Sequence, residues 1–143
     1  MTTDINARAG AALIALTEAG AIPSRWRDGM QLLAVGSDGQ EVGRRYSPRW
    51  DLAVNTTPDT SDTLTRRALL DVIREVTGEP LIYLFPHEHA DGLVSWAVLP
   101  PKLISKTNLW VHHALHGTWS TTEAEALVNA LEALATALPG ATP

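Results

Sequence analysis

Apolar residues recur at helical spacing in some stretches of the chain and alternate in others. From Asp4 to Ala19, Ile5, Ala9, Ala12, Leu13 and Leu16 fall on one helical face, with Thr3 or Asp4 as cap and Gly20 as stop. A second helix is predicted after Ser61 or Asp62, with Leu69, Val72, Ile73 and Val76 as its buried stripe and Gly78 and Pro80 ending it. A third opens on Ser120 and Glu123, an S-x-x-E capping box, and carries Ala124, Leu127, Val128, Leu131, Leu134 and Leu138 up to Pro139 and Gly140.

The remaining apolar runs are short and read as strands. MQLLAV (30–35) and QEVGRRY (40–46) flank Asp38-Gly39, a hairpin signal, and Gly43 weakens the second strand. WDLAV (50–54) lies between Pro48 and Pro58 and reads as a short strand. LIYLFP (81–86) and LVSWAVL (93–99) are joined by HEHADG, and LWVHHALH (109–116) reads as a further strand. The order is α-β-β-(β)-α-β-β-β-α. It predicts an α+β fold with a mainly antiparallel sheet packed by helices, in a single domain over 1–143 with a short flexible tail at 139–143.

Composition narrows the function. The net charge is −5, which argues against a general nucleic-acid binder and favours a basic partner surface. The chain has no cysteine, so disulfides, thiolate zinc sites and Cys nucleophiles are excluded. The first residues lack a basic region followed by an apolar run, and no apolar run approaches the ~20 residues that span a bilayer. These features predict a cytoplasmic protein with no membrane partner. Gly36, Gly39 and Gly43 lack the context of a phosphate loop, and there is no G-x-S-x-G nucleophile elbow.

Two constellations remain. All five histidines lie between 87 and 116. His87, His89, Asp91 and a strand histidine, His112 or His116, supply ligand types for zinc or another divalent metal, whose bound water would serve a metal-dependent hydrolase. The same HEHADG stretch is also what a hairpin turn needs, with Asp91-Gly92 as its turn pair. H-x-H-x-D after an apolar strand resembles part of the metallo-β-lactamase motif, but Gly92 stands where that motif continues with His, and no activity is carried over. The second constellation interleaves Trp26, Arg44, Arg45, Tyr46, Arg49 and Trp50, residue types favoured at protein interfaces. Arg67 with Asp71, and Glu125 with Glu132, read as solvated helix faces.

A longer pattern spans 58–80 and 121–134. Pro58, Asp59, Asp62 and Thr65 lead into a helix with Leu69, Leu70, Ile73, Arg74 and Glu75, and a closing helix runs through Thr122 to Ala133. The pattern resembles short proteins carried by phages and prophages of GC-rich bacteria. Only Lys102 and Lys106 are lysines among 11 basic residues, in keeping with such a genome. The resemblance implies a small accessory protein that binds a host or phage protein, or a second copy of itself. The expectation is therefore a non-enzymatic protein-binding module without a cofactor, set against the metal-dependent hydrolase.

Overall fold

The last helix is apolar around too much of its circumference to lie on a surface, and the other elements gather about it. The computed structural model describes residues 2–35, 38–48, 56–101 and 109–138. In order these form α1 (Thr2–Glu18), β1 (Gln31–Val35), β2 (Glu41–Arg45), β3 (Thr57–Pro58), α2 (Thr63–Thr77), β4 (Tyr83–Glu88), β5 (Val94–Leu99), α3 (Leu109–Leu115) and α4 (Glu123–Ala137). The predicted α+β class holds. The predicted strand at 50–54, the tail at 139–143, and Arg49 and Trp50 lie outside the described residues.

The strands form two small antiparallel sheets instead of one, in the orders β2-β1-β3 and β4-β5. The short strand β3 pairs with β1 through Leu32–Pro58 and Leu33–Thr57. The second sheet does not join the first, because the outer edge of β5 meets the segment before α4. Trp96 and Ser120 exchange backbone hydrogen bonds of 2.7 and 2.8 Å, and the Thr118 hydroxyl accepts from the Val98 N–H at 3.0 Å.

Residues 109–116 correct the predicted strand: Leu109–Leu115 form α3, and His116 lies in the turn after it. Val111 and Leu115 are buried one turn apart, with Trp110 and Ala114 half-buried beside them. This i,i+4 pairing packs against α4. A run this short satisfies either period, and the available helical surface decided between them.

The cap of α4 is also displaced from the predicted Ser120. Thr122 is the N-cap, and its side chain accepts from the Glu125 N–H at 3.1 Å. Ser120 is held in the β-bridge and donates its hydroxyl to Glu125 at 2.6 Å. For α2 the predicted signals hold. Asp62 caps its start, and Gly78 ends it in the left-handed region, at φ 71°, where a side chain would be strained.

One apolar core joins the elements. Leu13 and Leu16 of α1, Leu69 and Ile73 of α2, and Val98 of β5 meet Leu127, Leu131 and Leu134 of α4, all with almost no exposed surface. A polar clamp closes one side. Arg8 donates to both carboxylate oxygens of Glu132, at 3.1 and 2.6 Å, and to Asn129 at 2.9 Å. Glu132 therefore ties α4 to α1 and does not stand free on a solvated face.

Asn6 is buried, and its Oδ1 accepts from both the N–H and the hydroxyl of Thr60, at 2.9 and 2.7 Å. Asn6→Ala leaves both donors without an acceptor. It is expected to lower the unfolding free energy by roughly 1–3 kcal/mol in urea denaturation. A change near zero would show that this link between α1 and the lead-in to α2 has no structural weight.

Candidate functional site

Among the described residues, the predicted arginine–aromatic patch is divided between the core and the surface. Trp26 is 7% exposed and belongs to the core, and the Arg25 guanidinium lies 4.8 Å from the centre of its ring. Tyr46 is half-buried against the same core, and its N–H donates to the Met30 carbonyl at 2.7 Å. Both side chains support the first hairpin from within. An aromatic ring that can reach the core around Leu32 gains more from the interior than from water, which is why sequence composition alone misplaces them.

Arg44 and Arg45 are exposed on β2. Being consecutive strand residues, they point to opposite faces. Arg45 is already committed within the fold. It donates to both Asp62 oxygens at 2.5 and 2.8 Å, and to the Gly29 carbonyl at 3.2 Å. Asp62 is at the same time the cap of α2, so one carboxylate joins β2 to a helix start. The paired guanidinium holds the Asp62 pKa down, to about 2, against the opposing effect of burial; hydrogen bonds from Thr65 lower it further.

The HEHADG stretch is a hairpin turn. Gly92 donates to the His89 carbonyl at 2.9 Å, and His89 donates to the Leu93 carbonyl at 2.8 Å. Gly92 has φ +86°, the left-handed residue of a three-residue hairpin loop. The Asp91 carboxylate accepts from the Leu93 N–H at 3.0 Å and so shapes the turn. His87 and His89 are neighbours on one face, with ring centres 4.9 Å apart. His89 Nε2 shares a hydrogen bond with the Ser95 hydroxyl at 2.7 Å, which fixes that ring. His112 and His116 are exposed residues at the outer side of α3 and the turn after it, since the apolar face of α3 is the one that packs. Among the described residues, no three His, Asp or Glu side chains come together to hold a metal ion.

What the fold does assemble is an aromatic face that was not singled out from sequence. Alternation along β4 puts Tyr83, Phe85 and His87 on one side, with His89 continuing the row. The register sets Phe85 opposite Ala97 and His87 opposite Ser95. Because Ser120 pairs with Trp96, Trp119 lies on the far side of Ala97. Its ring meets Phe85 edge-on at 6.0 Å and His87 at 6.1 Å, and Tyr83 meets Phe85 edge-on at 6.3 Å. Trp119 is 45% exposed, Tyr83 41% and Leu93, at the end of the hairpin, 67%. Phe85, His87, His89, Ser95 and Trp119 line an open groove of about 340 Å³. The period-2 pattern Tyr-x-Phe-x-His-x-His was visible in the sequence. The arrival of Trp119 depends on a long-range bridge and was not.

The outer edge of β4, which has no partner strand among the described residues, is guarded. Trp96 directs its N–H and C=O at Ser120, so its partner Pro86 turns its backbone outward, where an N–H would otherwise stand. Pro86 has none, and Glu88, next on that edge, adds charge. Strand addition along β4 is thus disfavoured, and the side-chain face is the part open to contact. No described helix is long and apolar enough to cross a membrane. Comparison with protein-family models, with curated proteins and with solved structures found no match to this chain.

The Asp62–Arg45 pair has a pH signature. A carboxylate with a lowered folded-state pKa adds stability above its unfolded pKa of about 4, and that stability is lost as pH falls toward about 2. Asp62→Asn should flatten this acid limb in unfolding experiments between those values. Asp62→Ala should cost roughly 1–2 kcal/mol at neutral pH through loss of the cap. An unchanged acid limb in Asp62→Asn would remove the pair as a determinant of stability.

Proposed function

We propose that this protein is a non-enzymatic protein-binding module, acting in the cytoplasm as a phage-type accessory protein, and that its contact surface is the outer face of the β4–β5 hairpin. The observation that carries the reading is the row formed by Tyr83, Phe85 and Trp119, rings packed edge-to-face yet left open to solvent. Large side chains already fixed by their neighbours lose little freedom on binding, and aromatic residues dominate interface energetics. His87, His89 and Ser95 border the row with polar groups, the arrangement of a contact core with a polar rim.

The partner fits a protein surface that is basic around an apolar anchor. The anchor would enter the groove beside Trp119, and a Lys or Arg of the partner would meet an aromatic ring face within a chain of net charge −5. Pro86 on the strand edge supports docking onto the face over addition of a strand. The resemblance of residues 58–80 and 121–134 to phage- and prophage-carried proteins supports an accessory role in such a cell.

The test is quantitative affinity capture from lysate of a phage-bearing, GC-rich host, with Phe85→Ala/Trp119→Ala run beside the parent protein. A bound protein should be held about 30-fold more weakly by the variant, as expected for loss of an interface hot spot of about 2 kcal/mol. Circular dichroism must first show the variant folded. A partner held equally by both proteins would refute this face as the contact surface.

A further inference from the structure

Strand β2, an edge of the three-stranded sheet, is built differently from β4. β2 pairs only with β1 among the described residues, and every one of its residues is exposed. Its hydrogen-bonding parity follows from the bonds beside it. Tyr46 donates to the Met30 carbonyl and accepts from the Gly29 N–H, so Tyr46 turns its backbone inward to the β1 side. Alternation then turns Arg44 and Val42 inward as well, and leaves the N–H and C=O groups of Glu41, Gly43 and Arg45 facing outward. No proline interrupts this edge, in contrast to Pro86 on β4. An edge with no partner strand among the described residues is a template for another strand.

We infer that a second copy of this chain occupies that edge, by antiparallel pairing of β2 with β2 about a two-fold axis at Gly43. The sequence Glu41-Val42-Gly43-Arg44-Arg45 is self-complementary in that register and in no parallel one. Gly43 would face its own copy, Glu41 would face Arg45 of the second copy, and Val42 would lie beside the aliphatic stem of Arg44. Each outward residue would exchange both backbone bonds with the residue opposite, because all share the same parity. Parallel pairing would set Arg44 and Arg45 against themselves, and Glu41 against itself, which is repulsive. The charges that protect this edge from arbitrary strands thus select its own copy. No described residue pairs with the Glu41 carboxylate within the monomer. Arg45 stays on Asp62 but is exposed enough for its guanidinium to meet a second carboxylate. At Gly43 the strands come together with no side chain at the axis. The two three-stranded sheets would become one continuous sheet.

The proposal does not rest on the aromatic face of β4–β5, and its test leaves that face untouched. Sedimentation equilibrium of the full chain at about 100 μM reads the state directly. A dimer is expected. Glu41→Arg, an exposed change that places like charges opposite each other on both sides of the axis, should weaken it about tenfold or more. Gly43→Pro removes the outward N–H at the axis without removing a β1 bond; the close neighbour of a Cβ there is the flexible end of the Gln31 side chain. It too should yield monomer. A parent protein that is monomeric at that concentration, or a dimer that both folded variants retain, overturns the proposal. Glu41→Arg keeps the test decisive if Gly43→Pro fails to fold.

Discussion

Burial of α4 is the constraint on which the other elements depend. Ala126, Leu127, Val128, Ala130, Leu131 and Leu134 are all buried, an arc wider than the single stripe of a surface helix. Such a helix is stable only when covered on several sides, and α1, α2, α3 and β5 provide the cover. The short, two-stranded β4–β5 sheet gains stability from this packing, since an isolated hairpin of its size is marginal in water. The helix also fixes the chain that leads into it. Thr118 and Ser120 bind β5 just before the Thr122 cap, and that pairing carries Trp119 over the outer face of the hairpin.

The candidate surface is thus a consequence of core packing. One face of β4–β5 gives Leu84 and Val98 to the core. Strand alternation then obliges Tyr83, Phe85 and His87 to the opposite side. Trp119 follows the bridge register beside Ala97 and meets Phe85 edge-on, while Trp119 and Tyr83 stay exposed. The outer edges of β4 and β2 share no such logic. β4 sets Pro86 and Glu88 on its outer edge, whereas β2 presents an uninterrupted backbone bearing opposite charges at its two ends.

Polar groups at the joints do more structural work than their exposure suggests. Asp62 caps α2 and receives Arg45 from β2, Glu132 receives Arg8 across α1 and α4, and Arg27 forms an ion pair with Glu75. Isolated surface pairs contribute little. Asp62 differs because the same carboxylate also satisfies a helix N–H, so removing it breaks two connections together. Arg45, whose residue type suggests an interface, is for this reason part of the frame as well as an edge residue.

Sequence by itself determined the α+β class, the three long helices, both hairpins and the stop at Gly78, because caps, turn residues and long apolar periods act locally. It also marked HADG as turn chemistry. It left open whether those ligand-type side chains converge, since convergence depends on where residues far apart in the chain come to lie. The tertiary structure decided that residues 109–116 form a helix, because a short run of mixed period takes whatever surface α4 offers. It decided that Trp26 and Tyr46 face inward, because the need to cover β1 outweighs their suitability for an interface. And it decided that Trp119 stands beside Phe85 and His87, because a backbone bridge between Trp96 and Ser120, distant in sequence, puts it there.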